Sequence, residues 1–202
     1  LFSAARHPRG EVTGKAASGG TYLIQASYNR QQSNGTLKRY NIARATDGKI
    51  SAGAVPVWDA AQAMPSPDER KIYTSLRDAE GRSKTTEFSW GSLPEPQRAM
   101  FSGSDDGLGE ARVNYLRGER SRETGQAAGV FRRRASVLGD IVHSTPVIVG
   151  SPSVSVTGAG YVQFHASAGK RPSAVYVGAN DGMLHAFDAH NGAELFAYVP
   201  GA

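Results

Sequence analysis

The residues best suited to chemistry lie close together near the C-terminus. His185 and His190 flank Asp188, and these are residue types that bind metal ions. His185 falls inside a predicted strand, whereas His190 falls in a predicted turn, so the two imidazoles need not share a face. A packed or surface histidine is therefore the favoured interpretation of each, and the sequence assigns no metal ligand here.

Other motifs with a catalytic or ligand-binding precedent are incomplete. His143 precedes Ser144, but the Gly-x-Ser-x-Gly sequence that presents a nucleophilic serine is absent. The acidic run at 105–107 lacks the alternating carboxylates of a calcium loop. The Gly-Lys pair at 14–15 lacks the spacing of a phosphate-binding loop, and 158–160 lacks the third glycine of a dinucleotide fingerprint. These motifs predict no catalytic residue, cofactor or metal site.

The composition limits the class of protein. The 202 residues include 23 Lys and Arg against 18 Asp and Glu, a net charge of +5, and no cysteine. Without cysteine the chain has no disulfide, zinc–thiolate or iron–sulfur site. No run of 18 apolar residues occurs, so the sequence predicts no membrane-spanning helix. The first residues carry neither an initiator Met nor an apolar signal core, and 1–20 is interpreted as the leader of an excised piece.

Arginines form the densest basic cluster. Arg132, Arg133 and Arg134 are consecutive, and Arg117 lies upstream. Charged residues make up only 20% of the chain and no long Lys/Arg tract occurs, which argues against nucleic-acid binding. A solvated surface rich in salt bridges is the favoured interpretation, and a partner-binding patch is the alternative.

The elements that carry these residues are predicted to be short strands and tight turns, because the chain contains 24 Gly and 10 Pro. Four runs in the tail have strand character, at 144–150, 174–179, 183–188 and 194–199. They predict one antiparallel sheet, with a loop at 151–173 inserted between its first two strands. Within that loop, 161–164 is a candidate extra strand.

Turn residues separate these strands. Asp-Gly and Asn-Gly pairs favour tight turns with positive φ, and Asp188 is predicted to accept backbone N–H bonds in an Asx turn. The residues assigned to structural turn and blade roles are Asp181, Gly182, Asp188, Asn191, Gly192, Gly35 and Trp58.

The front of the chain repeats this order of strands and turns. Strands are predicted at 21–28 and 35–42, and a third ends at Trp58. Gly35, Leu37 and Tyr40 align with Gly182, Leu184 and Phe187 at one constant offset, and Trp58 then corresponds to Phe196. Internal repetition of four-stranded units is typical of a β-propeller.

The predicted fold is therefore mainly β, a partial β-propeller with quinoprotein-like blades of four antiparallel strands and a mixed, partly helical insertion. After the leader, we divide the chain into a partial first blade at 21–58, an inter-blade insertion at 59–137 and a second blade at 138–202. The elements predicted inside the insertion are helices at 60–64, 94–101 and 109–116 and a strand at 70–76.

The segments 138–147 and 175–189 resemble the C-terminal β-propeller of the PilY/PilC family, the tip-associated adhesins and biogenesis factors of bacterial type IV pili. Shorter stretches at 57–61, 114–118 and 194–200 support the resemblance. The resemblance implies an exported, non-enzymatic protein at the pilus tip, cell surface or outer membrane. Its implied partners are minor pilins and a host-cell or abiotic surface, and its implied roles are pilus assembly, twitching motility and adhesion.

Two features depart from that family. Its calcium loop, with alternating aspartates, has no counterpart here, so the resemblance transfers no metal residue. Arg117-Gly118-Glu119 stands where family members often have Arg-Gly-Asp, so no integrin-binding role is predicted.

Two blades do not close a ring, and the open sheet edges predict that the piece can self-associate.

Two alternatives come from other classes. A fragment of a quinoprotein dehydrogenase that uses pyrroloquinoline quinone would share the blade motif. Such an enzyme needs a complete ring around quinone and calcium, for which these motifs supply no residues. A generic propeller scaffold for protein partners is the other alternative.

Overall fold

The computed structural model describes residues 11–18, 21–29, 31–44, 50–53, 55–78, 80–103, 106–152, 158 and 160–201. Residues 1–10 of the predicted leader, residue 105 of the acidic run and 153–157 of the predicted inserted loop lie outside these ranges. Within them, strands outnumber helices and form two sheets, as the sequence predicts.

The first sheet has five antiparallel strands in the order β1-β2-β3-β4, with β5 also paired to β3. These are β1 (Glu11–Ser18), β2 (Tyr22–Asn29), β3 (Asn34–Arg44), β4 (Ile50–Ala52) and β5 (Trp58–Asp59). Ile24 and Ala26 on β2 are fully buried, which gives this strand an alternating inner face. The sheet begins at Glu11, inside the segment that the sequence analysis treats as a leader.

The second sheet has six strands in the order β7-β6-β11-β10-β9-β8. These are β6 (Ile72–Arg77), β7 (Ser83–Glu87), β8 (Val147–Val149), β9 (Ala174–Gly178), β10 (Leu184–Asp188) and β11 (Glu194–Val199). The four strands predicted in the tail are present in the predicted order. The β6–β7 hairpin comes from the insertion and extends this sheet, because β6 pairs in parallel with β11.

Two local predictions are wrong. The candidate strand at 161–164 is the start of helix α3 (Tyr161–Ala168), which follows Gly160 at φ 86°. The predicted helix at 60–64 is instead a pair of turns, with bonds from Gln62 N–H to the Asp59 carbonyl and from Ala63 N–H to the Ala60 carbonyl. Pro65 follows directly and disfavours helical geometry at the preceding residue.

Two further helices lie in the insertion, as predicted: α1 (Glu95–Ser102) and α2 (Gly109–Arg117). They pack on a small core beneath the second sheet. The buried members of that core are Ile72, Phe88, Leu93, Val113, Met183 and Ala197. None of the helices in the described ranges has the length and apolar character needed to cross a bilayer.

The main core lies between the two sheets. The first sheet contributes Ile24, Leu37 and Trp58, and the second contributes Val175 and Phe187. Because one buried cluster joins side chains from both sheets, the sheets form adjacent blades of a partial propeller.

Candidate functional site

Trp58 fastens the first blade to the second. Its Nε1–H donates to the carbonyl of Ala189 at 3.3 Å. Its indole ring packs against Gly192, where an added Cβ would lie 2.7 Å from a ring carbon. Gly192 also has φ +77°, so both its backbone and its neighbour require glycine.

The turn that carries Gly192 is organised by carboxylate and amide oxygens. Asp188 Oδ1 accepts the N–H groups of His190 at 2.7 Å and Asn191 at 3.1 Å. Asn191 Oδ1 accepts the N–H of Ala193 at 2.9 Å. The structure therefore places Asp188 and Asn191 in structural turn positions that support the contact with Trp58.

The turn between β9 and β10 plays a second structural role. Asp181 Oδ1 accepts the N–H of Met183 at 3.1 Å, and Oδ2 accepts the N–H of Gly139 at 3.0 Å. Gly182 follows at φ +87°. A Cβ added at Gly35 would overlap the carbonyl of Gly139, so Gly35 permits the close approach of the first blade to this segment.

A buried charged network lies beside this turn. His185 is fully buried, with Nδ1 at 2.8 Å from Glu194 Oε1 and Nε2 at 3.1 Å from both Asp181 oxygens. Arg70 Nε and Nη2 donate to the two oxygens of Glu194 at 2.7 and 2.8 Å. A register shift between Ala186 and Phe187 brings Glu194 opposite Phe187, on the same face as His185.

The contacts within the network favour a protonated His185 and ionised Asp181 and Glu194 carboxylates. Burial by itself lowers the pKa of His185, but hydrogen bonds and charge from Asp181 and Glu194 raise that pKa to about 8. Burial raises the pKa of each carboxyl, and the contacts of Asp181 with His185 and of Glu194 with Arg70 outweigh it, so both values are lowered. Two cations thus face two carboxylates, and the network joins the insertion to the second blade.

The carboxylates of Asp181 and Glu194 are each paired with cationic side chains of the protein. Among the residues that the structure describes, no group of three or more His, Cys, Asp or Glu is arranged to hold a metal ion. His185 is a packed histidine, and His190 is exposed in its turn. Local sequence does not reveal the roles of Arg70 and Glu194, because 124 positions separate them and only tertiary structure brings them together.

The predicted arginine patch divides into buried and exposed members. Arg117 is 8% exposed and donates to the carbonyls of Phe88 and Pro67 at 2.7 and 3.2 Å. Gly118 is buried as well, so only Glu119 of the Arg117-Gly118-Glu119 tripeptide is exposed. Arg132 and Arg133 are exposed, so only these two remain available to a partner.

Arg134 anchors a loop of the insertion. It is 8% exposed, and its Nε donates to Glu123 Oε1 at 2.8 Å. Its guanidinium also lies 3.7 Å from the centre of the Tyr115 ring. Glu123 Oε2 accepts from Arg120 Nε at 3.1 Å and from Nη2 at 3.0 Å. These contacts fix the base of the loop, whereas its tip at 124–130 is exposed throughout.

Comparisons with known proteins identify relatives of the chain. A family model described as the PilY1 beta-propeller domain matches residues 138–202. The type IV pilus biogenesis factor PilY1 homolog of Xylella fastidiosa is 35% identical over all of this chain and 17% of its own length. PilY1 of Pseudomonas aeruginosa strain PAK is 35% identical over 83% of this chain and 15% of its own length. The chain thus spans less than a fifth of these relatives, and no solved structure matches it.

Proposed function

This chain belongs to the PilY1 family of type IV pilus biogenesis factors, and from that premise we propose that it supports pilus assembly through protein–protein contacts and without catalysis. The proposed partners are minor pilins at the pilus tip, together with a host-cell or abiotic surface. The proposed location is the cell surface, at the pilus tip or the outer membrane. Twitching motility and adhesion would follow from a pilus that assembles correctly.

The exposed tip of the Glu123 loop is the single observation that carries this proposal. The tip is neutral and rich in small residues from Thr124 to Val130, and Val130 is 55% exposed. Its base is held by the contacts of Glu123 with Arg120 and Arg134. A recognition loop on a rigid base loses little conformational entropy on binding, so it suits a protein contact.

The insertion as a whole is held in a fixed position on the second blade. Arg70 joins Glu194 on β11 to the carbonyl of Arg117, with 2.9 Å between Arg70 Nη1 and that oxygen. The β6–β7 hairpin adds backbone pairing with β11. The loop tip therefore keeps a defined orientation relative to the propeller, as a partner surface requires.

A pair of exposed valines tests the proposal in the intact protein. Val130→Glu places a charge on the loop tip, whereas Val162→Glu places the same charge on α3, where Val162 is 74% exposed. We expect Val130→Glu to lower the number of surface pili at least fivefold at unchanged protein level and Val162→Glu to leave that number unchanged. Adhesion is scored separately per pilus. Equal piliation in the two strains would reject the loop tip as an assembly contact.

A further inference from the structure

A cleft of about 370 Å³ opens where the two blades meet the insertion. Ser33 of the β2–β3 turn lies on one side, and Asn180 of the β9–β10 turn lies on another. Tyr115 and Phe131 form an aromatic wall, with ring centres 4.9 Å apart, and Val137 adds an aliphatic side chain. One wall of the cleft can therefore cover the apolar part of a ligand.

The Asp140 carboxylate lines the same cleft. Its Oδ1 is buried and accepts no hydrogen bond from the residues that the structure describes. Burial raises the pKa of Asp140 more than the positive charge of Arg132 lowers it. Its backbone carbonyl is bonded to the N–H of Asn180 at 2.9 Å, which fixes the position of the residue. A buried carboxylate oxygen without a donor is unfavourable, so this group favours a cationic ligand.

Two of the other charged groups around the cleft, Asp181 and Arg134, are paired within the protein. Asp181 pairs with His185 and accepts two backbone N–H groups. Arg134 pairs with Glu123 and stacks on Tyr115. Arg132 is exposed and lines the cleft, but it makes no ion pair with Asp140. Asp140 is therefore the carboxylate of the cleft that a ligand can neutralise.

We infer that this cleft binds a basic side chain of a protein partner, with the aliphatic stem against Phe131 and Val137 and the cationic head at Asp140. Lysine and arginine combine these two parts, and a charge-assisted hydrogen bond to a carboxylate is stronger than a neutral one. An anionic side chain would be repelled by the Asp140 carboxylate, and an aliphatic side chain would leave Asp140 Oδ1 without a hydrogen-bond donor. The inference deepens the proposed function by giving the chemistry of one partner contact.

Binding of a lysine analogue to the intact protein tests this inference. The probe is Nα-acetyl-lysine methylamide, titrated by saturation-transfer NMR, and the uncharged comparison is Nα-acetyl-norleucine methylamide. We expect the lysine probe to bind at least fivefold more tightly than the norleucine probe. Asp140→Asn should remove most of that preference. Asp68→Asn should preserve it, because Asp68 is exposed and does not line the cleft. Equal binding of both probes, or full binding by folded Asp140→Asn, would overturn the inference.

Arg132→Ala keeps the test decisive if Asp140→Asn fails to fold. Arg132 is exposed and is the cation that opposes a basic ligand here, so its removal should tighten lysine binding two- to threefold. Unchanged or weaker binding would count against the inference. Piliation of the Asp140→Asn strain separates this site from the proposed function. If the parent protein binds the lysine probe and the Asp140→Asn strain has normal piliation, the cleft has no role in assembly. If the parent protein does not bind the lysine probe and the Asp140→Asn strain loses piliation, the cleft chemistry alone is rejected.

Discussion

Raising the pH should weaken this protein through one residue, His185. Its pKa is raised from an ordinary 6.5 to about 8 because Asp181 and Glu194 favour the charged ring. The stabilisation is therefore present in full below pH 6.5 and is lost as the pH rises through about 8. A tenfold change in proton affinity is worth about 1.4 kcal/mol, so the loss between pH 6 and pH 9 is about 2 kcal/mol of unfolding free energy.

Urea unfolding at intervals from pH 6 to pH 9 measures this loss, and the His185 ring resonances should titrate with a midpoint near pH 8. His185→Gln removes the titrating group, so its unfolding free energy should be lower at pH 6 and nearly constant up to pH 9. His190→Gln is the matched control, because His190 is exposed in a turn, and it should retain the full decrease. An unfolding free energy that is flat from pH 6 to pH 9 in the parent chain would refute the reasoning. The same decrease in His185→Gln would also refute it.

Two paired substitutions test the packing. Gly192→Ala and Gly182→Ala both place a Cβ at positive φ, but only the Cβ at position 192 contacts Trp58. Thermal unfolding should therefore show Gly192→Ala to be less stable than Gly182→Ala by at least about 1 kcal/mol. Equal losses would show that the indole contact is not tight. Arg117→Ala should cost about 3 kcal/mol, because it leaves buried carbonyls without a donor, whereas exposed Arg133→Ala should change stability by less than about 0.5 kcal/mol. Similar urea midpoints for these two variants would contradict the assigned burial of Arg117.

Local sequence predicts the strands and turns that are determined by residues next to one another in the chain. The run 194–199 carries β-branched and aromatic residues and forms β11 with those bounds. Gly182 and Gly192 follow Asp and Asn and adopt the positive φ that such turns require. The alignment of Trp58 with Phe196 is also informative. β5 pairs with β3 and β11 pairs with β10, and β3 and β10 carry the aligned Leu37 and Leu184.

Long-range pairing is the part that local sequence does not predict. The parallel pairing of β6 with β11 joins segments that are far apart in the chain. The local sequence of the insertion therefore does not indicate that it extends the second sheet. Arg117 and Arg134 look like solvated charges in sequence, since their acceptors are mainly backbone carbonyls of other segments. The unpaired oxygen of Asp140 likewise depends on what tertiary folding places around it.

We propose that the tip of the Glu123 loop contacts minor pilins during pilus assembly. The most direct measurement is the affinity of purified intact protein for purified minor pilins, with the parent, Val130→Glu and Val162→Glu compared side by side. We expect the parent and Val162→Glu to bind, and Val130→Glu to bind at least tenfold more weakly. Equal affinity in all three proteins, or no binding to any minor pilin, would contradict it.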